Sequence, residues 1–219
     1  DIPEPKDTAP KKKPEASSPP KDTSPLPAIF KNSDYYFNQA VFFQQTGDLE
    51  KSLEYYRKAG ELNKNNNPDI YNNMGVVYKD LGRYDEAIEE LLKAVYLDPN
   101  YAKAYNNIGV VYYLKKNYAS AIVNYEKAIS VKQDNVEAYN NLAVAFKKER
   151  QFEKAKNTLN KALAIDPNHA GTNYNLALLY EEEGSRKPAI HFYRRFIEYG
   201  STSHPTLVED VKDHIKSLE

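Results

Sequence analysis

The sequence predicts an all-α fold, an α-solenoid of antiparallel helix pairs that follows an extended N-terminal leader. Three observations support this prediction. Small residues recur at a spacing of 34, each repeat contains two stretches with helical periodicity, and the composition changes sharply near residue 30. A repeat of this length is one supersecondary unit, whose apolar face must be covered by the neighbouring units.

Residues 1–30 form the predicted leader. Residues 1–27 contain 8 of the 13 prolines of the chain and no aromatic residue. This composition buries too little apolar surface to offset the entropy of ordering, so we expect an extended segment that either docks on another subunit or is a solvated stalk. The sequence begins with Asp1, which favours export to the periplasm or the extracellular space after signal-peptide removal, with a cytoplasmic location as the alternative.

The positions of the small residues set the repeat register. Gly75, Gly109, Ala143 and Ala177 are 34 residues apart, and Ala40 precedes Gly75 by 35. This register predicts five repeats followed by a capping helix over residues 204–219. The repeats are 33–67, 68–101, 102–135, 136–169 and 170–203, and together with residues 31 and 32 they make up the predicted repeat domain, 31–203.

Within each repeat, apolar residues follow helical spacing. In the first helix of the second repeat they occur at i, i+3, i+4 and i+7, as Tyr71, Met74, Gly75 and Tyr78. Gly82 separates this helix from the next one, as Gly47 and Gly184 do in two other repeats. The small side chains of the register are expected to let the two helices approach closely.

These residues resemble the tetratricopeptide repeat family over most of the chain. The motif reads Tyr71-Asn72-Asn73-Met74-Gly75-Val76-Val77-Tyr78, then Gly82-Arg83-Tyr84, Ala87, Lys93-Ala94 and Pro99. The fifth repeat departs from it, with Asn173 in place of the aromatic residue at the fourth position. The resemblance implies a right-handed superhelix with a concave groove that binds part of a protein partner.

The composition argues against several other functions. Lys and Arg number 30 against 31 Asp and Glu, whereas a nucleic-acid groove needs a basic excess. The chain has no cysteine, its four histidines lack metal-ligand spacing, and no phosphate-binding or nucleophile motif occurs. No apolar run is long enough to cross a bilayer. We therefore expect no enzyme activity, no cofactor, no metal and no membrane span.

The candidate binding site is a row of asparagines on the first helices. Position six of each first helix lies roughly 150° from the packed stripe, and position five is often asparagine as well. Asparagine disfavours helix interiors, so the row invites an explanation. It is similar to the asparagine ladder of O-linked N-acetylglucosamine transferase repeats, which implies contact with a peptide backbone. The alternative is that the amides tie adjacent first helices together. The residues are Asn38, Asn73, Asn107, Asn141 and Asn175 at position six, and Asn72, Asn106 and Asn140 at position five.

Apolar residues complete the predicted groove. Val76, Val110 and Val144 occupy position nine and provide an apolar floor. At that position the carboxylate clamp of tetratricopeptide co-chaperones needs asparagine, so such a clamp is disfavoured. Tyr113 at position twelve and Tyr174 at position five are expected to face the groove and to contact a ligand.

These observations predict a non-enzymatic scaffold that binds a protein or peptide in its groove. One hypothesis is self-assembly into a homopolymer or filament through the leader and the solenoid ends. The alternatives are an intracellular adaptor or co-chaperone that presents client peptides, and a regulatory module of a separately encoded enzyme.

Overall fold

The computed structural model describes residues 32–63 and 66–219, and this part of the chain forms eleven α-helices and no strand. The all-α prediction is confirmed, whereas the predicted leader, residues 1–30, lies outside the described residues. The helices are α1 (Ser33–Thr46), α2 (Leu49–Glu61), α3 (Pro68–Asp80), α4 (Tyr84–Leu97), α5 (Ala102–Leu114), α6 (Tyr118–Val131), α7 (Val136–Lys148), α8 (Phe152–Ile165), α9 (Ala170–Glu182), α10 (Arg186–Gly200) and α11 (Pro205–Leu218).

The helices belong to two compact units. The N-terminal unit ends at Lys132 and contains α1 to α6, and the C-terminal unit begins at Gln133 and contains α7 to α11. In each unit the odd-numbered helix of a repeat packs against the following even-numbered helix, and α11 packs against α10.

Small residues bring paired helices together, as predicted. A methyl group added at Gly75 would lie 2.5 Å from Leu91 Cγ on α4, far inside van der Waals contact. The same addition at Gly109 would lie 2.5 Å from the ring of Tyr125 on α6. At these two positions of the 34-residue register, the paired helices are therefore too close for a larger side chain.

The turn inside each pair requires a left-handed residue. Gly82 and Gly184 fill this position with φ of 74° and 75°, whereas Lys116 and Arg150 fill it with φ of 60° and 57°. Non-glycine residues lose roughly 1–2 kcal/mol in this region. The third and fourth repeats thus keep the turn geometry without the residue that best fits it.

Each unit has its own apolar core. In the N-terminal unit the fully buried side chains include Leu53, Tyr56 and Leu91. In the C-terminal unit, Tyr193 and Phe196 of α10 share a core with a buried stripe of α11. The stripe residues are Val208, Val211 and Ile215, and the exposed residues on the other side of α11 include Lys212, Asp213 and Lys216.

Candidate functional site

Position six keeps partial exposure in most repeats. Asn38 is exposed, Asn73, Asn107 and Asn141 are half-buried, and Asn175 is 9% exposed. The angle argument from the sequence therefore places this position on the outer side of the first helix in four repeats. In the fifth repeat the neighbouring structure covers it.

Position five is buried, which corrects its placement on an open groove surface. Asn72, Asn106 and Asn140 are 5%, 4% and 3% exposed. The reason is that a first helix packs against its second helix and also against the first helix of an adjacent repeat, as α3 does with α5 and α7 does with α9. Position five points toward that additional neighbour.

In the N-terminal unit the amides of α5 and α3 are joined by hydrogen bonds. Asn107 Nδ2 on α5 donates to Asn72 Oδ1 on α3 at 2.8 Å, and Asn72 Nδ2 donates to Asn73 Oδ1 at 3.2 Å. The Tyr56 hydroxyl donates to Gln44 Oε1 at 2.9 Å. Burial raises the pKa of Tyr56 to about 12, and a hydrogen bond with Asn73 opposes this rise. The amide bonds thus join α5 to α3, and the Tyr56–Gln44 bond joins α2 to α1.

The C-terminal unit repeats the same pairing. Asn175 Nδ2 on α9 donates to Asn140 Oδ1 on α7 at 3.0 Å. In both units the donor is position six of one repeat and the acceptor is position five of the repeat before it. These bonds therefore tie adjacent first helices together, as the alternative interpretation of the asparagines predicts.

Apolar side chains accompany the amides. Val76, Val110 and Val144 at position nine are all half-buried. Tyr113, near the end of α5, is half-buried as well, and its ring centroid lies 5.3 Å from that of Tyr118 on α6. The first helices of the second, third and fourth repeats thus carry partly exposed amides, with partly exposed valines three residues further along.

Tyr174 does not face the groove, and its prediction as a ligand contact is wrong. The side chain is fully buried, with ring centroids 6.0 Å from Tyr193 and 5.0 Å from Phe196. It belongs to the core cluster that includes Val208 and Val211 of α11. Tyr174 occupies position five, which is also buried in the second, third and fourth repeats, and in this last repeat an apolar core surrounds it.

The described residues contain neither a cluster of metal-ligand side chains nor a helix suited to crossing a membrane. Within 32–63 and 66–219, no three His, Asp or Glu side chains gather where they could hold a metal ion. None of the helices described is both long enough and apolar enough to span a bilayer.

Comparison with known proteins identifies the repeats. The TPR repeat family matches residues 41–82, 77–116 and 111–149, and tetratricopeptide repeat patterns match residues 136–169 and 170–199. An uncharacterised protein of Methanocaldococcus jannaschii is 42% identical over 59 residues, which are 27% of this chain and 67% of that protein. The chain covers only 13% and 43% of the length of two further curated relatives.

Solved structures share the fold over most of the chain. The crystal structure of MamA is 25% identical with a TM-score of 0.64, covering 74% of this chain and 95% of its own. YrrB, described as a TPR protein with an unusual peptide-binding site, is 22% identical with a TM-score of 0.60, covering 83% of this chain and 92% of its own. The chain therefore belongs to the tetratricopeptide repeat family, in the class of right-handed α-solenoids built from antiparallel helix pairs.

Proposed function

We propose that this chain is a non-enzymatic interaction protein that binds an extended segment of a protein partner along the first helices of its repeats. TPR repeats are protein-interaction scaffolds in general, so a protein or peptide partner follows from the family. The proposal adds the surface and the mode of binding.

The observation that supports it is the exposure left after the amides have paired. Asn73, Asn107 and Asn141 remain partly exposed although Asn107 already donates to Asn72. A carboxamide has two N–H groups and two acceptor lone pairs, so one hydrogen bond leaves Asn107 with further capacity. Amides alternating with valines suit an extended chain, which offers backbone polar groups and side chains in alternation.

YrrB supports a peptide as the kind of ligand. Its structure is described with a peptide-binding site, and its helix pairs share the fold of this chain. The proposed surface here rests on this chain's own asparagines and valines and not on that likeness.

The test compares matched charge insertions on two faces. Peptides are first selected from a random library displayed against the full chain. Val76→Glu and Val110→Glu place a carboxylate beside the amides, and we expect at least tenfold weaker binding of the selected peptides, measured by fluorescence polarisation. The matched controls are Leu92→Glu and Val123→Glu on the second helices of the same repeats. These two residues are 50% and 63% exposed, so both controls should bind within twofold of the parent chain.

Circular dichroism of each variant separates a lost surface from a lost fold. Folded groove variants that bind the selected peptides as tightly as the controls would exclude the first-helix face as the binding site.

A second candidate function is self-association, and the N-terminal end of the repeats favours it. Tyr36, Phe43 and Tyr55 are half-buried on α1 and α2, with ring centroids 6.1 Å apart for Tyr36–Tyr55 and 5.2 Å for Phe43–Tyr55. The tyrosine equivalent to Tyr36 in the second repeat, Tyr71, is packed beside Gly60 of α2. Among the described residues, no helix pair precedes α1 to cover Tyr36 in the same way.

Sedimentation velocity at increasing concentration tests this candidate. We expect the full chain to assemble and a chain lacking residues 1–27 to assemble less, because this candidate assigns the leader a contact with another subunit. The melting temperature should stay nearly unchanged, since residues 1–27 contain no aromatic residue and can bury little apolar surface. A full chain that remains monomeric throughout would favour the adaptor alternative instead.

A further inference from the structure

A cleft of about 350 Å³ lies between α2, α3 and α4, away from the asparagines. Tyr71 and Met74 form its wall on α3, and they belong to the packed stripe of that helix, roughly 150° from Asn73. On the α2 side, Gly60 contributes only backbone to the wall, between Arg57 and Glu61. The cleft is therefore separate from the surface assigned to the peptide.

Glu90, which lines this cleft, has one carboxylate oxygen without a hydrogen-bond partner among the described residues. Glu90 on α4 is 8% exposed, and its Oε1 accepts a hydrogen bond from Lys93 Nζ at 2.8 Å. Its Oε2 is buried and unbonded, and among the described residues it is the only buried side-chain nitrogen or oxygen in that condition. Buried polar atoms are normally paired, so an unpaired charged acceptor points to a ligand that donates.

The cleft walls favour a cationic donor with an aliphatic stem. A carboxylate only accepts, and an ammonium donor makes a bond roughly twice as strong as a neutral one. The Tyr71 ring already has a cation near its face, since Lys93 Nζ lies 5.9 Å from the ring centroid. Tyr71 and Met74 offer apolar contact to methylene groups, and the volume far exceeds the ~30 Å³ that one water occupies.

We propose that this cleft binds a primary ammonium group on an aliphatic stem, with Glu90 Oε2 as its acceptor. A lysine side chain and the amino terminus of a peptide carry this chemistry. The charged residues lining the cleft balance, with Arg57 and Lys93 against Glu61 and Glu90. Binding therefore depends on the contact with Glu90 and not on a general negative field.

The repeat register limits the site to the second repeat. The positions equivalent to Glu90 are Tyr55, Asn124, Thr158 and Phe192. None of these side chains is a carboxylate, so the proposal requires a single site per chain.

Met74 provides a reporter inside the cleft. It is the only methionine of the chain, so ¹³C-methyl labelling gives one resonance that needs no assignment. The full chain is titrated with three probes: Nα-acetyl-lysine methylamide for a side-chain ammonium, leucine methylamide for a terminal ammonium, and Nα,Nε-diacetyl-lysine methylamide for neither. We expect a saturable shift of the Met74 methyl resonance with one or both ammonium probes, and none with the diacetyl compound. The probe that causes the shift tells whether the cleft accepts a lysine side chain or a peptide amino terminus.

Two variants and one control connect the shift of the Met74 methyl resonance to the unpaired oxygen. Glu90→Gln should lower the affinity for the ammonium probe at least tenfold. Glu89→Gln, the same change at the exposed neighbouring residue, should leave that affinity unchanged. Gly60→Leu should block the cleft without touching Glu90, because a side chain at this position meets Tyr71 at an ordinary 3.6 Å. Circular dichroism checks that each variant is folded.

Three results would overturn the proposal. The first is a Met74 methyl that no ammonium probe shifts, which would assign the oxygen to water. The second is equal binding of the diacetyl compound. The third is affinity for the ammonium probe that survives in folded Glu90→Gln or in Gly60→Leu.

Discussion

Replacing Tyr174 with alanine is expected to lower the free energy of unfolding by about 3–5 kcal/mol, the range for removing a buried aromatic side chain. The ring is fully buried against Tyr193 and Phe196, so truncation leaves a cavity in the core that α11 shares. Chemical denaturation followed by circular dichroism measures the loss. The variant should melt at a markedly lower temperature.

Tyr113→Ala is the matched control. Tyr113 is half-buried near the end of α5, so its removal should cost less than that of Tyr174, with about 0.5–1.5 kcal/mol of the loss from its ring contact with Tyr118. Equal stability losses in the two variants, or a stable Tyr174→Ala protein with impaired peptide binding, would contradict the core position of Tyr174.

The second large effect is expected at the buried amides. Asn72→Ala removes the acceptor of Asn107 Nδ2 and the donor to Asn73 Oδ1, and we expect a loss of about 1–3 kcal/mol in unfolding free energy. Asn107→Ala leaves the buried Asn72 Oδ1 without this donor and should have a similar cost. A double-mutant cycle should give a coupling of about 0.5–1.5 kcal/mol, since the two side chains act as a pair.

Asn38→Ala provides the control for helix propensity. Asn38 occupies the same position six but is exposed, so alanine should stabilise the protein by about 0.5 kcal/mol. A cycle with no coupling, together with a gain at all three positions, would indicate that the amide pairs contribute nothing to the fold.

The repeat register could be predicted from the sequence because small residues and aromatic residues each recur at a constant spacing. Gly75 and Gly109 mark close helix contacts, and no other residue type would fit without displacing Leu91 or Tyr125. The outward direction of position six followed from helix geometry alone. These features depend on contacts inside one repeat.

Position five could not be placed from the sequence because its surroundings differ between repeats: the adjacent first helix at Asn72, and the rings of α10 together with α11 at Tyr174. A helical wheel with one packed stripe leaves Asn72 and Tyr174 on its edge, and it does not include the adjacent first helix or the core around α11. Both residues are buried for that reason. Glu90 was also missed, although it is a carboxylate at a position where the other repeats have none.

The direction of the amide pairs bears on how the array can change in length. Position five supplies the acceptor and position six of the following repeat supplies the donor, as in Asn72–Asn107 and Asn140–Asn175. The second, third and fourth repeats carry asparagine at both positions, whereas Phe37 and Tyr174 stand at position five of the first and last. A duplicated interior repeat would bring its own donor and acceptor, and a copy added after the fifth would meet a tyrosine. Duplication within the second to fourth repeats would therefore keep the amide pairing, whereas a repeat that follows Phe37 or Tyr174 meets no amide acceptor at position five.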